Sequence, residues 1–311
     1  EFGLLYPHNY ECKTEGMAES AAPRVDAFLL GAPKCGTTWL SEVLVQHPDV
    51  CISNPKEPNI IATHKGTFPR DVAKPDWGAY SDCFEEKGVR VDCSVHAFAC
   101  PEAPGRVADF APNAKMIVCL REPVSRTVSH WNMILDTNED KENGADWEDF
   151  RVAWADNRLS CDTLYGASIS RWLEFFDLSS ILIIEANRMR HSPQEVLDQV
   201  CAHIGVDSYV FDLGAVYNAN TASDRRPITA MGRFFRFTAS LLPKFIKKPI
   251  VKWLQGRGTN VYKLPLLSSK AAPKRHISDE QRSLLAHEVN ADLILLEELT
   301  NFDISKWVID A

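Results

Sequence analysis

Ala27-Phe28-Leu29-Leu30-Gly31-Ala32-Pro33-Lys34-Cys35-Gly36-Thr37-Thr38-Trp39 decides the fold. Its first four residues form a short apolar run that stops at Gly31, the pattern of a parallel strand buried on both faces. A loop holding Pro33 and Gly36 follows. Trp39, Leu40, Val43 and Leu44 then recur at helical spacing up to His47-Pro48. Strand, glycine loop and helix in this order aim unpaired backbone N–H groups and the positive end of the helix dipole at an anion. Gly36 lets the backbone approach that anion closely, and Thr37 and Thr38 add hydroxyl donors.

The loop departs from the nucleoside-triphosphate form G-x-x-x-x-G-K-[ST]. Thr37 follows Gly36, and the lysine, Lys34, comes two residues before that glycine. Early in the loop, its ammonium can reach the bridging oxygen of a 5′-phosphosulfate.

Working outward, Lys115-Met116-Ile117-Val118-Cys119-Leu120 reads as a second buried strand, stopped by Arg121-Glu122-Pro123. A helix is expected from Val124 to about Leu135. Ile181 to Glu185 is a third strand, after a helix carrying Trp172, Leu173 and Phe176, and Val89 to Asp92 a fourth. Pro193 to about Ile204 reads as helix with proline in its first turn. Ser278 to Leu299 is amphipathic and opens on a capping box, Ser278-Asp279-Glu280-Gln281. Strands alternating with helices predict an α/β fold: a P-loop-type parallel sheet flanked by helices on both faces.

Composition sets the bounds. The chain has 311 residues, 45% of them hydrophobic, which suits a globular domain rather than a disordered one. No apolar run approaches the ~20 residues of a membrane-spanning helix. The nine cysteines are odd in number and not tightly paired, and no Asn-x-Ser/Thr acceptor occurs. Both features point to a cytoplasmic protein, the alternative being an excised domain of a larger or Golgi-lumen protein. Met17-Ala18-Glu19-Ser20 reads like a natural start, so residues 1–16 are expected to be an added or linker segment, with one domain over 17–311. Net charge is −8, yet residues 225–275 carry 13 of the 34 Lys and Arg and none of the 42 Asp and Glu. A basic, helical insertion on an acidic body is predicted there.

Arg121-Glu122-Pro123 begins a second motif, which reaches Ser129 eight residues after the arginine. With Pro33 to Trp39 it resembles the sulfotransferase family. Cytosolic members carry P-K-[ST]-G-T-T-W in the 5′-phosphosulfate loop, matched here with Cys35 at the variable place. The family's 3′-phosphate motif is a strand, then R-x-P, then a serine at the spacing of Ser129. The resemblance runs over about residues 25–307, and the two phosphate motifs carry it. It implies that 3′-phosphoadenosine-5′-phosphosulfate (PAPS) is the co-substrate and PAP the product, with no metal required. Lys34, Cys35, Gly36, Thr37, Thr38 and Trp39 would bind the 5′ end and the adenine. Arg121, a delocalised fork, and Ser129 would hold the 3′-phosphate.

Sulfuryl transfer needs an in-line acceptor, a cation at the departing phosphate and a base for the acceptor proton. Lys34 suits the leaving group. Glu57, in Asn54-Pro55-Lys56-Glu57-Pro58, resembles the acidic position proposed as base in heparan sulfate sulfotransferases. The aromatic usual after that glutamate is replaced by Asn59-Ile60-Ile61. His96, after the strand at 89–92, is the alternative base, as cytosolic members use a histidine. Glu57 is preferred of the two.

The expected acceptor is a hydroxyl or amine of a carbohydrate, lipid or small metabolite. The basic segment at 225–275, interleaved with aromatics, suggests contact with a polyanion or a membrane surface. No nucleic-acid partner is expected. Cys93-x-x-His96 with Cys83 and Cys100 lacks the two tight ligand pairs of a zinc site, so no metal is assigned. Two other function classes compete. One is another P-loop transferase, a nucleotide or metabolite kinase, opposed by the missing lysine after Gly36. The other is a non-catalytic module binding a nucleotide or polyanion.

Overall fold

The computed structural model describes residues 22–65, 67–69, 74–214 and 274–310. Residues 1–16 and the basic segment up to residue 273 lie outside the described residues. Five parallel strands form the central sheet in the order β2-β5-β1-β6-β7. They are β1 (Ala27–Gly31), β2 (Val50–Ile52), β5 (Val89–Asp92), β6 (Lys115–Leu120) and β7 (Ile181–Glu185). A separate short hairpin joins β3 (His64–Lys65) to β4 (Phe68–Pro69).

Every residue of β1 is buried. Successive strand side chains point to opposite faces, so a strand buried at each position is covered on both. Central β1 and β6 are apolar nearly throughout for that reason. Each Leu, Ile or Met they sequester contributes about 1.5–3 kcal/mol.

The helices follow in chain order: α1 (Thr37–Leu44), α2 (Trp77–Ser81), α3 (Ala103–Phe110), α4 (Pro123–Thr137), α5 (Glu139–Glu142), α6 (Phe150–Ala155), α7 (Asn157–Ser160), α8 (Tyr165–Leu173), α9 (Arg188–His191), α10 (Pro193–Ile204) and α11 (Asp279–Thr300). Residues 95–97 add a 3-10 turn after β5. α11 opens on the expected capping box, with Ser278 bonded to the Gln281 N–H and the Gln281 side chain back to Ser278. α8 packs along α11. Asp292 of α11 accepts from the Gly166 and Ala167 N–H groups, at 2.8 Å each, and so caps the start of α8 from a distant part of the chain.

The topology positions the site. In a parallel sheet the carboxyl ends of all strands lie on one edge, and ligands of open α/β sheets bind outside that edge. The loop after β1, His96 after β5 and Arg121 after β6 therefore share it. Among the described residues no helix is long and apolar enough to cross a membrane.

Candidate active site

The loop leaving β1 is tied down before it turns. Ala32 N–H donates to the Cys119 carbonyl of β6 at 2.7 Å, and Cys35 N–H closes back on the Ala32 carbonyl at 3.3 Å. Gly31 has φ +149, and a Cβ there would lie 2.7 Å from the Val95 carbonyl oxygen, so no side chain fits. Lys34 adopts φ 70, the left-handed region that costs a non-glycine residue about 1–3 kcal/mol. That turn carries its half-buried side chain to Met133 of α4, with Nζ 3.9 Å from Sδ.

Gly36, at φ 87, is the N-cap of α1 and makes no side-chain capping bond. The opening N–H groups of α1 therefore have no side-chain cap, as an anion cradle requires. Gly36 itself is exposed, Thr37 is buried, and Thr38 and Trp39 are half-buried. Trp39 also packs against the core. The Cys35 side chain turns inward and is fully buried, where burial pushes its thiol up to about 11.

Arg121 follows β6 directly and is half-buried. Its guanidinium makes no hydrogen bond or ion pair among the described residues. The next helix start differs from that of α1. Glu122 caps α4 with its carboxylate, accepting from Val124 N–H at 2.9 Å and Ser125 N–H at 2.8 Å. The α4 terminus is thus already occupied by an acid, and an anion here must be read by side chains. Ser129 lies two turns into α4, half-buried, and Met133, which meets Lys34, is one turn further.

Tyr165 joins the two motifs, a role the sequence did not announce. Its buried hydroxyl donates to the Arg121 carbonyl at 2.9 Å and lies 3.9 Å from Cys35 Sγ. It is the first residue of α8, the helix capped by Asp292.

Glu57 lies in a loop pinned to the end of β5. Ser53 Oγ donates to the Lys56 carbonyl at 2.8 Å and accepts from Cys93 N–H at 3.3 Å, and Asn59 N–H donates to Ser94 Oγ at 2.9 Å. The Glu57 side chain is 31% exposed, with Oε1 2.7 Å from Lys56 Nζ. Its charge is felt at buried Asp92, the last residue of β5, whose carboxyl is raised chiefly by burial.

His96 is differently placed. Its side chain is 8% exposed and belongs to a buried polar cluster. Nδ1 is 3.9 Å from Asp162, whose carboxylate also lies 3.5 Å from His130 Nδ1. The Arg126 guanidinium, which can only donate, reaches His130 Nδ1 at 2.9 Å. On its other side His130 Nε2 faces Thr67 Oγ1 at 2.6 Å. Arg126 also donates to Thr163 Oγ1 at 2.6 Å, and its Nε is buried without a partner. This cluster draws on distant parts of the chain: Arg126 reaches the Leu159 carbonyl across 33 positions, and Thr67 meets His130 across 63.

The loop from Lys34 to Thr38 follows β1 and Arg121 follows β6 at the same edge of the sheet, Lys34 meets Met133 of the helix that carries Ser129, Glu57 lies in a loop tied to the end of β5, and His96 is buried. Among the described residues no three His, Cys, Asp or Glu side chains group as metal ligands. Glu185, at the end of β7, anchors its own loop by accepting from Asn187 at 3.3 Å.

Comparison with known proteins follows the same lines. The sequence model of the sulfotransferase domain matches residues 24–213. The chain is 30% identical over 209 residues to the human bifunctional heparan sulfate N-deacetylase/N-sulfotransferase 3, covering 60% of this chain and 23% of that protein. It is 26% identical over 213 residues to the mouse heparan sulfate glucosamine 3-O-sulfotransferase 6, covering 62% and 56%. The matches therefore span under a quarter of the first protein and just over half of the second. Among solved structures, a sulfotransferase from Alicyclobacillus acidocaldarius superposes with a TM-score of 0.62 at 21% identity, over 92% of this chain and 99% of that one, a likeness of fold.

Proposed function

Because the chain belongs to the sulfotransferase domain family, we propose that it transfers a sulfuryl group from PAPS to a hydroxyl or amine of a carbohydrate. The observation that carries the reading is the meeting of the two phosphate motifs. Lys34 Nζ reaches Met133, one turn beyond Ser129, and Tyr165 ties the Arg121 backbone to the Cys35 loop. A ligand with one acid group at each end fits that arrangement. The uncapped start of α1 would take the 5′ end, and the unengaged Arg121 guanidinium with Ser129 the 3′-phosphate. ATP, with no 3′-phosphate, would leave Arg121 without a partner.

In the reaction the acceptor's lone pair attacks sulfur as the bond from sulfur to the bridging oxygen breaks. The electron pair moves onto that oxygen, where the Lys34 ammonium meets the growing charge. The acceptor proton passes to Glu57, which is open enough to meet a substrate, while His96 acts within the buried cluster. The carbohydrate acceptor is suggested by the relatives named for heparan sulfate, one for an N- and one for an O-sulfotransferase.

The test uses labelled PAPS against a panel of amino-sugar and polyol oligosaccharides, with EDTA present, since this chemistry needs no bridging metal. Label moving to a sugar, and lost in Glu57→Gln but kept in His96→Ala, supports the reading. Label loss in His96→Ala alone moves the base to the histidine. No transfer to any panel member, despite tight PAP binding, sinks the carbohydrate assignment.

A further inference from the structure

We propose that Lys56 is a positioning residue of the transfer site, whose ammonium holds the Glu57 carboxylate at the carboxyl edge of the sheet. The inference rests on Glu57 being the base.

Neighbouring side chains on an extended chain diverge. Lys56 and Glu57 meet at 2.7 Å because the loop doubles back on itself. Ser53 bonds the Lys56 carbonyl, and Asn59, in the left-handed region at φ 52, donates its side-chain N–H to the Glu57 carbonyl at 3.2 Å. Both anchors are themselves bonded to the residues that follow β5, Cys93 and Ser94. A solvated surface loop needs no such set of ties.

The pair is also partly withdrawn from water, with side-chain exposures of 25% and 31%. Exposed ion pairs are worth little, so a charge pair gains meaning when it is half-buried and fixed at both backbones. The reach of the ammonium's charge is the second observation. Burial pushes the Cys93 and Cys119 thiols up, and the Lys56 charge offsets part of that rise at both. Cys93 follows β5 and Cys119 lies in β6, the two strands that flank β1. Its charge is therefore felt at the two strands on either side of the one that delivers the Lys34 loop.

Held by Oε1, the carboxylate is kept from swinging to solvent. Its Oε2 makes no hydrogen bond among the described residues and is the oxygen that takes the acceptor proton. The O–H or N–H bond of the acceptor breaks as its lone pair closes on sulfur, and the proton ends on Glu57. Lys56 keeps its own protons throughout and touches neither sulfur nor acceptor.

The experiment is a double-mutant cycle read by single-turnover rate, with KM for acceptor, PAP affinity and melting temperature for each variant. Lys56→Met should lower the rate about 10- to 100-fold, the scale of a misplaced catalytic group, with acceptor KM and PAP affinity within about twofold. Lys56→Arg should recover most of the rate. In a Glu57→Gln background, Lys56→Met should add no further loss, because it acts through the glutamate. A Lys56→Met rate near the parent's, with Glu57→Gln inactive, overturns the role of Lys56 alone. An equal loss in both backgrounds overturns the route through Glu57. Full turnover by Glu57→Gln removes the base assignment beneath it. A fallen melting temperature with an Arg variant as slow as Met shows a structural role only, and also refutes the proposal.

Discussion

Tyr165→Phe isolates one hydroxyl that ties the two halves of the phosphate site together. The ring stays, so the packing against Phe98 and Trp307 is kept. What is lost is the bond from the fully buried Tyr165 to the carbonyl of half-buried Arg121, at 2.9 Å. No other donor reaches that carbonyl among the described residues. Leaving a buried acceptor unsatisfied costs about 1–3 kcal/mol. For domains of a few hundred residues each kcal/mol lowers the melting temperature by roughly 2–4 °C, so a fall of about 2–12 °C is expected from these two scales. The second readout is specific to the site. With its backbone untied from the Cys35 loop, Arg121 should hold PAP about tenfold more weakly by calorimetry, equivalent to about 1.4 kcal/mol. AMP, which lacks the group Arg121 is proposed to read, should lose far less. A variant that melts lower but binds PAP like the parent would refute the link between the motifs. A variant unchanged in both would refute the hydrogen bond itself.

Three further outcomes follow from the geometry. Arg121→Ala should weaken PAP about 10- to 100-fold, the loss of a charge-assisted contact, with little change in melting temperature; an unchanged affinity by calorimetry would move the 3′-phosphate elsewhere. Lys34→Ala should lower kcat about 100-fold or more while PAP still protects the fold by mass action; near-normal turnover would take Lys34 out of the transition state. His203 of α10 faces the Met116 and Ser180 carbonyls at 3.1 and 3.2 Å, and burial lowers its pKa. The unfolded chain thus binds a proton at that residue before the folded one does, so its stability contribution is whole above about pH 6.5 and drains away as pH falls through the lower folded value. Urea midpoints from pH 7.5 to 5 should decline less steeply in His203→Gln, and parallel slopes would contradict this.

What the sequence showed plainly was what local pattern can encode. Strands β1, β6 and β7 are short apolar runs, and these and β5, which alternates valine with Arg90 and Asp92, were each expected near their observed bounds. Ser278 and Gln281 formed the capping box they spelled. Val50–Ile52 was missed, since three residues hold no period, and so was the two-residue hairpin at 64–69. The supporting groups of the site were beyond reach for another reason. Tyr165 acts on Arg121 across 44 positions, and Arg126 meets Thr163 across 37. Nothing in the neighbourhood of either residue names its partner. Lys56 stood beside Glu57 in the sequence and was passed over, because adjacent side chains normally face apart. The left-handed Asn59 two residues later was the available signal of a loop that doubles back.

The two helix starts at this edge bear on the proposed site, in which a loop and an arginine together would hold one ligand. At α1 the N-cap is Gly36, which brings no acid, so the backbone and dipole are open to an incoming anion. At α4 the N-cap is Glu122, which takes the first two N–H groups for itself and lies 4.0 Å from Arg282 of α11. A second anion near α4 would meet a carboxylate rather than a dipole. Arg121, placed one residue before that acid and freed from other partners among the described residues, supplies the missing cation, and its fork can recognise a phosphate's geometry as an open helix end cannot. The two anchors therefore differ in kind: a backbone cradle that tolerates changes at the reacting end, where a sulfuryl group must arrive and leave, and a side-chain clamp that does not. Replacing Glu122 by Gln removes the charge and keeps one of the two capping bonds, because Val124 and Ser125 use different carboxylate oxygens. If this division holds, PAP affinity in Glu122→Gln should rise severalfold and more so at low salt, where the carboxylate repels the 3′-phosphate most. A fall in affinity would mean that Glu122 chiefly holds Arg121 in place.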